Sequence, residues 1–403
     1  MKSVELFAGA GGLALGVTLA GFESLAVVEW DKWACDTIRE NKRRDFPLVR
    51  DWPLWEGDVR SFDWRALPED IDLLAGGPPC QPFSMGGKHK ANGDKRDMFP
   101  ATVDVVRTLR PKAFIVENVK GLTRSSFANY YQYILLQLEF PEVARKPEED
   151  WADHLKRLQG EKTSGALHGS GLTYNVVPTL VNAADHGVPQ KRERVFIVGF
   201  RADLGVEWSF PAPTHGLDAL LHAQWGSGEY WERHGVPRSA RPALPTGMAA
   251  RIRKLGYLID PPREKPWRTV RDALADVGDP RQSGGDFLNH VFQDGARVYP
   301  GHTGSPLDLP AKTLKAGDHG VPGGENMMVL EDGRVRYFTV RESARLQTFP
   351  DGYIFHGSWT ETMRQLGNAV PVILGRKVAG SVAECLVAAK TRELAREKRW
   401  HVA

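Results

Sequence analysis

Short apolar runs alternate with amphipathic stretches over the first 120 residues, and no other feature constrains the fold of this chain as strongly. The pattern predicts strands at 4–7, 25–29, 71–75 and 113–117, with helices at 11–21, 32–42 and 99–109. Strands that alternate with helices in this way form parallel βαβ units. The sequence therefore predicts a doubly wound α/β domain, whose ligands bind beyond the carboxyl ends of the strands.

The rhythm changes after this region. A charged segment, 141–172, holds one predicted helix that begins near Pro147 and ends at Gly160, and we interpret it as a surface insertion. Two further strands, at 175–180 and 194–200, are typical of an antiparallel pair at the edge of the sheet. Residues 201–337 are rich in Pro, Gly, Trp and Arg without clear periodicity, which predicts a smaller, loop-rich domain. Helical patterning returns at 340–346 and 372–394.

The composition is that of an ordinary globular protein, and it excludes several classes. With 53 basic and 50 acidic residues the net charge is +3, which permits nucleic-acid binding but does not argue for it. Three scattered cysteines are too few for a disulfide framework or a zinc site. No apolar run approaches the roughly 18 residues that span a bilayer. Because the first predicted strand leaves no room for a signal peptide, we expect a cytoplasmic protein.

A glycine-rich loop follows the first predicted strand: Phe7, Ala8, Gly9, Ala10, Gly11 and Gly12. Glycines allow a backbone to approach a ligand closely, and Glu29, 20 residues beyond Gly9, stands where a strand-end carboxylate accepts hydrogen bonds from ribose hydroxyls. The pattern fits an NAD-binding oxidoreductase as well as a methyltransferase, and a structural tight turn is the alternative. Asp58 could bond an adenine amino group, although such a residue is more often part of a turn.

Cys80 lies in the segment Gly76-Gly77-Pro78-Pro79-Cys80-Gln81-Pro82-Phe83-Ser84, directly after the third predicted strand. The prolines make this approach rigid, and the neighbours offer no helix or strand face on which to bury a thiol. The Gly-, Lys- and His-rich loop 84–94 follows, so the segment favours a nucleophile over which a lid closes. A small core cysteine is the alternative, and it is our interpretation of Cys35 and Cys385.

Glu117 and Asn118 end the fourth predicted strand, where a buried carboxylate suits proton sharing; a strand-end cap for Lys120 is the alternative. The segment Gln190-Lys191-Arg192-Glu193-Arg194 opens the second of the two edge strands, and the alternation of Arg192 and Arg194 would place both guanidinium groups on one face. Such a pair suits anion binding or the positioning of a carboxylate, and a solvated edge strand is the alternative.

Together, and in this order, these segments resemble the cytosine-C5 DNA methyltransferase family. The resemblance covers about 3–130, 173–200 and 335–385. It rests on six motifs: Phe7–Gly12, Pro79-Cys80-Gln81, Glu117-Asn118-Val119, Gln190-x-Arg192-x-Arg194, Arg341-Glu342-x-x-Arg345-Leu346-Gln347-x-Phe349-Pro350, and Gly367-Asn368-Ala369-Val370-Pro371.

The resemblance implies a Rossmann-like methyltransferase fold and the transfer of a methyl group from S-adenosylmethionine to C5 of a flipped cytosine in double-stranded DNA. Cys80 would add to C6, and Glu117 would hold N3 and the exocyclic amine. Arg194 would bind the base edge, and Arg192 would favour the thiolate. No metal is required.

The resemblance also implies two sets of ligand contacts. The expected cofactor contacts are Phe7, Ala8, Gly9, Gly11, Gly12, Glu29, Trp30, Asp58, Val59, Pro79, Phe99, Asn368 and Val370. The expected DNA contacts are Gln81, Ser84, Gly86, Lys88, Lys90, Arg96, Thr313 and Leu314.

Because Asn368 and Val370 lie far along the chain, the catalytic domain is predicted to be discontinuous. It comprises 1–200 and a C-terminal return, 338–403, around a target recognition domain at 201–337 that matches the family by position. Arg268, Arg271, Arg297 and Lys315 of that domain could contact bases or phosphates.

We expect a monomer that serves in a bacterial restriction–modification system beside a cognate endonuclease. The alternatives are a tRNA cytosine methyltransferase, a non-catalytic DNA-binding relative and an oxidoreductase. The last would leave Pro79-Cys80-Gln81 and Gly367–Pro371 without a role.

Overall fold

The computed structural model describes residues 1–79, 97–165, 171–244, 246–256, 262–282, 287–316 and 326–400. Its contacts divide the chain into two compact units. Unit 1 comprises 1–181, 193–211 and 375–403, and unit 2 comprises 182–192 and 212–374. The boundaries of these units differ from those of the predicted domains. Residues 182–192 and 338–374, which were predicted to belong to the catalytic domain, lie in unit 2.

Unit 1 is built on a seven-stranded sheet with the order β3-β2-β1-β4-β5-β7-β6. Its strands are β1 (Lys2–Leu6), β2 (Glu23–Glu29), β3 (Leu54–Glu56), β4 (Leu73–Gly76), β5 (Ala113–Val119), β6 (Tyr174–Asn182) and β7 (Glu193–Arg201). The first five strands run parallel, whereas β7 runs antiparallel to β5. The predicted doubly wound α/β fold is confirmed. Its strand order reverses between β1 and β4, where open sheets of this kind bind ligands.

The helices of unit 1 cover an apolar core. They are α1 (Gly12–Leu19), α2 (Lys32–Arg43), α3 (Phe99–Leu109), α4 (Ala128–Glu139) and α5 (Trp151–Thr163), joined by the part of α12 (Val372–Trp400) that follows residue 374. Helix α1 approaches α12 closely: a Cβ at Gly16 would lie 2.5 Å from the backbone nitrogen of Arg376. Glycine is therefore required at position 16.

Helix α5 packs into the apolar core of unit 1, which the interpretation as a surface insertion did not predict. Leu155 and Leu158 are buried in the main apolar cluster of unit 1. The buried His154 joins its ring nitrogens to the Tyr133 hydroxyl and the Val143 carbonyl, each at 2.9 Å. The predicted end of this helix at Gly160 is wrong, because α5 continues to Thr163 with Gly160 in its interior. A single glycine weakens a helix without ending it.

Unit 2 consists of short elements linked by loops. Its strands are β8 (His215–Gly216), β9 (Lys265–Pro266), β10 (Ser305–Pro306), β11 (Met327–Val329) and β12 (Val335–Tyr337). Its helices are α6 (Leu217–Leu221), α7 (Glu229–Arg233), α8 (Ala249–Gly256), α9 (Val270–Leu274), α10 (Val340–Leu346) and α11 (Trp359–Asn368). β8 pairs with β9, and β11 lies between β10 and β12. In the described part of the chain, no helix is long and apolar enough to cross a membrane.

Candidate active site

The loop after β1 turns sharply between the strand and α1. Phe7, Gly9 and Gly11 all have positive φ angles, of 52°, 54° and 87°. Glycine adopts this region without strain, whereas Phe7 does so at a conformational cost, and such outliers cluster at ligand sites. The open space around a Cβ built at Gly9 leaves room beside this backbone.

Glu29, at the end of β2, closes this loop. Its Oε2 accepts a hydrogen bond from the Gly9 backbone at 2.6 Å, and its Oε1 accepts from the backbones of Trp30 and Asp31 at 2.9 and 2.7 Å. Burial raises the pKa of Glu29, and the three backbone donors oppose that shift. Because a carboxylate has about four acceptor positions, Oε2 keeps capacity for a hydroxyl group.

Trp30 presents the aromatic surface of this site. Its side chain is 70% exposed although it directly follows the buried Glu29. An exposed indole beside an acceptor carboxylate and a glycine-lined backbone fits an adenosine-type ligand, since the ring can stack and the carboxylate can bind the ribose.

Three other predicted cofactor contacts of unit 1 are paired with another side chain or buried. Asp58 accepts a hydrogen bond from the Arg60 backbone at 2.9 Å and pairs with the Arg60 guanidinium, which lowers the pKa of Asp58. Val59 and Phe99 are buried in the core, at 3% and 0% exposure.

The backbone that leaves β4 runs against the end of β5. A Cβ at Gly77 would lie 3.0 Å from Glu117 Oε2. The buried Asn118 amide donates a hydrogen bond to the Pro78 carbonyl at 3.0 Å. Asn118 therefore fixes the backbone that leads into Pro79. The predicted nucleophile, Cys80, and six predicted DNA contacts lie outside the described residues; those contacts are Gln81, Ser84, Gly86, Lys88, Lys90 and Arg96.

Glu117 and Arg194 form an ion pair at the ends of β5 and β7. The Arg194 Nε lies 2.9 Å from Glu117 Oε1, and both side chains are about nine-tenths buried. The antiparallel register pairs Val119 with Arg194 and so brings the two side chains together. Burial lowers the pKa of Arg194 and the Glu117 carboxylate opposes that shift. The pair supplies a fixed carboxylate beside the exit of β4.

Arg192 belongs to unit 2 and has different partners. It precedes β7, which begins at Glu193, so the strand alternation that we used for the two arginines does not include it. Its buried guanidinium donates hydrogen bonds to the carbonyls of Leu314 and Gly367 at 3.1 and 2.7 Å. Arg192 therefore links the backbone of Leu314, an expected DNA contact, with that of the Gly367–Pro371 motif.

Neighbouring polar side chains reinforce this link within unit 2. Gln190 Oε1 accepts a hydrogen bond from the Leu314 backbone at 3.1 Å, and Thr313 Oγ1 donates to the Lys191 carbonyl at 2.6 Å. The Gln347 amide donates to the carbonyls of Leu366 and Ala369. These bonds hold the chain on both sides of Asn368, which is exposed, while Val370 is buried.

Sequence reasoning missed the contribution of Asn118 and of the two glutamines. The available signals were their positions: Asn118 follows Glu117 at a strand end, and Gln190 and Gln347 each lie within a predicted motif. Buried amides at such positions usually bond to backbone groups.

Comparison with known protein families gives a match over most of the chain. The family model described as C-5 cytosine-specific DNA methylase matches residues 1–141, 161–229 and 284–384.

Similar proteins of known name include two bacterial Type II methyltransferases. M.PspPI of Psychrobacter sp. is 32% identical over 393 residues, which cover 96% of this chain and 80% of the relative. M.Eco47II of Escherichia coli is 31% identical, with 95% and 79% coverage. Among solved structures, the S. pombe Dnmt2 methyltransferase superposes with a TM-score of 0.57 at 17% identity, covering 96% of this chain and 99% of that one. The structural likeness supports the Rossmann-like fold alone.

Proposed function

Because the chain belongs to the C-5 cytosine-specific DNA methylase family, we propose that it methylates C5 of a cytosine within a specific sequence of double-stranded DNA. The observation that carries this proposal is the buried Glu117–Arg194 pair beside the backbone that enters Pro79-Cys80. A fixed carboxylate at the end of β5 can bind the edge of a pyrimidine ring while the Cys80 thiolate adds to that ring. The target cytosine must leave the duplex, because its C6 is not accessible in the stack.

The proposed reaction begins with the Cys80 thiolate, which forms a bond to C6 and moves electron density to C5. Glu117 accepts a hydrogen bond from the exocyclic amine and shares a proton with N3 as charge develops on the ring, and Arg194 keeps this carboxyl group in place. S-adenosylmethionine, when bound, would supply the electrophilic methyl group to C5 and would remain as S-adenosylhomocysteine. The C5 proton then passes to a water molecule as the C6–sulfur bond breaks, which restores the aromatic ring and the thiolate.

The cofactor is assigned to the end of β1 and β2. Glu29 would bind the ribose hydroxyls, Trp30 would stack on the adenine, and the Phe7–Gly12 backbone would line the rest of the site. Asp58 would reach the adenine amino group only after it exchanges its bond to Arg60. For Asn368 and Val370 the cofactor role remains a prediction.

Arg192 takes a positioning role in this proposal. Its hydrogen bonds to Leu314 and Gly367 support the Thr313-Leu314 and Gly367-Asn368 segments. Thr313 and Leu314 would then meet the DNA as a supported backbone element, since the Leu314 side chain is buried. The names of the relatives support a place in a restriction–modification system with a cognate endonuclease.

The test is transfer of radioactive label from S-adenosylmethionine to unmethylated genomic DNA and, in parallel, to unmodified tRNA, followed by bisulfite sequencing. We expect label in DNA at one short repeated sequence. Label in tRNA alone would replace this proposal with the tRNA alternative, and label in neither would indicate a binding protein.

A further inference from the structure

Exposed apolar side chains concentrate in one segment of unit 2. Among the described residues, 13 large hydrophobic side chains are exposed, and four of them lie between 288 and 299: Leu288, Val291, Val298 and Tyr299. Val291 and Val298 are 74% and 57% exposed. A single exposed apolar residue needs no explanation, but a concentration of them marks a binding surface.

The same segment carries one arginine. Arg297 is exposed and makes no ion pair with any residue that the structure describes. Eight other arginines of unit 2 each pair with a carboxylate: Arg233, Arg251, Arg271, Arg334, Arg336, Arg341, Arg345 and Arg364. Of the arginines named from the sequence as possible DNA contacts, Arg271 pairs with Asp308 and Glu331, whereas Arg268 and Arg297 make no ion pair with the residues that the structure describes; of these two, Arg297 is the exposed one.

The end of the segment is a narrow turn. Tyr299 and His302 exchange two backbone hydrogen bonds, of 3.3 and 2.8 Å, around Pro300 and Gly301. The positive φ of Gly301, 82°, makes this reversal possible. We name residues 291–303 the 291–303 loop.

The base of the loop is held rigidly by α10 and its surroundings. Arg341 has no exposed surface and donates hydrogen bonds to Leu288 from its Nε and to Asn289 from its backbone, at 2.9 and 3.0 Å. Asn289 exchanges two further bonds with the Phe355 backbone, and His290 bonds to Thr339 Oγ1 at 2.9 Å. A binding loop on a fixed base loses little conformational entropy when it binds.

The chemistry of the loop distinguishes base edges from phosphates. A surface that follows phosphates needs several cations, whereas 291–303 has one arginine, Arg297, one aspartate, Asp294, and no lysine, and most of its other side chains are apolar. Arginine binds O6 and N7 of guanine in a bidentate manner, and apolar side chains contact the methyl group of thymine. We propose that the 291–303 loop reads base pairs in the major groove and that Arg297 contacts a guanine of the target sequence. This inference rests on the proposed DNA methyltransferase function.

The experiment compares wild type, Arg297→Ala, Arg297→Lys and the control Arg334→Ala on a library of random duplexes with S-adenosylmethionine. Arg334 is exposed, as Arg297 is, but it pairs with Asp332. Bisulfite sequencing gives the preference at each target position. Arg297→Ala should lower the preference for guanine at one position by about 10- to 100-fold. Arg297→Lys should lower this preference as well, because an ammonium group lacks the planar fork that fits O6 and N7 of guanine. Arg334→Ala should keep the wild-type preferences.

Two results would overturn the inference. One is an unchanged preference at every position in both Arg297 variants. The other is methylation that falls uniformly for Arg297→Ala, with a shallower salt dependence and full rescue by lysine, which indicates a phosphate contact. If Arg297→Ala is inactive, the same preferences are measured as relative binding of duplexes with single base-pair changes. If the wild-type protein methylates no DNA, the proposed function itself is wrong. This outcome differs from the two results above, in which the wild type methylates DNA and only the inference about Arg297 fails.

Discussion

Glu117 and Arg194 depend on each other for stability as well as for chemistry. Each is about nine-tenths buried, so removal of one partner leaves the other as an uncompensated charge. We expect Glu117→Ala to lower the free energy of unfolding by about 3–5 kcal/mol and to abolish methyl transfer. Urea unfolding and label transfer measure the two effects.

The double variant Glu117→Ala/Arg194→Met separates these effects. An apolar side chain in place of the arginine removes the unpaired charge, so stability should recover by several kcal/mol while activity stays absent. Recovery of methyl transfer together with stability would mean that Glu117 has only a structural role.

Glu5, at the centre of β1, makes stability depend on pH. It is 2% exposed and accepts a hydrogen bond from Ser3 at 2.6 Å, and burial raises its pKa from 4.5 to about 7. The folded chain therefore keeps this proton at pH values where the unfolded chain has lost it. The stability that Glu5 contributes is complete below pH 4.5 and is lost as the pH rises through 7.

As the pH rises, the wild type should lose about 3 kcal/mol of its free energy of unfolding through this group. Glu5→Gln should not show this loss, because glutamine does not titrate. Urea unfolding at pH 5, 6, 7 and 8 should show a difference between variant and wild type that grows with pH and levels off above pH 7. A difference that is constant with pH would contradict a protonated Glu5.

Buried polar side chains were predicted from the sequence only in part. The strand pattern predicted that Glu117 ends a buried strand of the doubly wound sheet, and Glu117 lies near the end of β5. The roles of the motif residues stay predictions. The bonds from Asn118 to Pro78 and from Arg192 to Leu314 and Gly367 could not be predicted, because each joins positions 40 to 175 residues apart. Only the tertiary fold determines which backbone carbonyl a buried side chain meets.

Among the secondary-structure elements, two helix glycines should respond oppositely to alanine. A Cβ at Gly16 of α1 would lie 2.5 to 2.8 Å from backbone atoms of Gly375 and Arg376, whereas one at Gly160 of α5 meets nothing within 4 Å. We expect Gly16→Ala to destabilise unit 1 by about 1–3 kcal/mol or more. Gly160→Ala should stabilise α5 by about 0.5–1 kcal/mol. Thermal unfolding of both variants tests the pair, and equal effects would contradict the α1–α12 approach.

Predictability of the elements followed their length. The strands and helices of the first 120 residues repeat their apolar positions often enough to be recognised, and β1, β2, β4, β5 and α3 were predicted within a few residues. The strands of unit 2 have two or three residues each, too few for any period to be visible. The pairing of these strands depends on residues that are distant in the sequence, so the local sequence does not predict it.

At the scale of the whole molecule, α12 makes the C-terminus part of unit 1. Val378, Ala379, Val382 and Leu386 are buried, whereas the residues from 391 to 396 are exposed. A chain that ends at 394 should therefore fold normally, while one that ends at 374 should lose the cooperative unfolding of unit 1. Circular dichroism during heating distinguishes the two truncations, and normal folding of the shorter chain would contradict this role.

Cofactor binding and catalysis should separate when the whole protein is tested. We expect Cys80→Ala to abolish methyl transfer yet to keep the rise in melting temperature that S-adenosylmethionine gives, since a ligand at 100 times its Kd stabilises by about 2.7 kcal/mol. Trp30→Ala should leave the ligand-free melting temperature unchanged and reduce that rise. Methyl transfer by Cys80→Ala would exclude a covalent mechanism through this residue.

The bonds that Arg192 makes to two carbonyl groups affect how genes of this type can exchange parts. A crossover near codon 211 between diverged genes would combine residues 182–192 of one parent with 212–374 of the other. Every peptide unit offers a carbonyl, whatever its side chain, so Arg192 would find the same acceptors at positions 314 and 367 in the hybrid. Recombination could thus replace the variable part of unit 2 while these attachments survive, and a new sequence specificity could arise in a single genetic event.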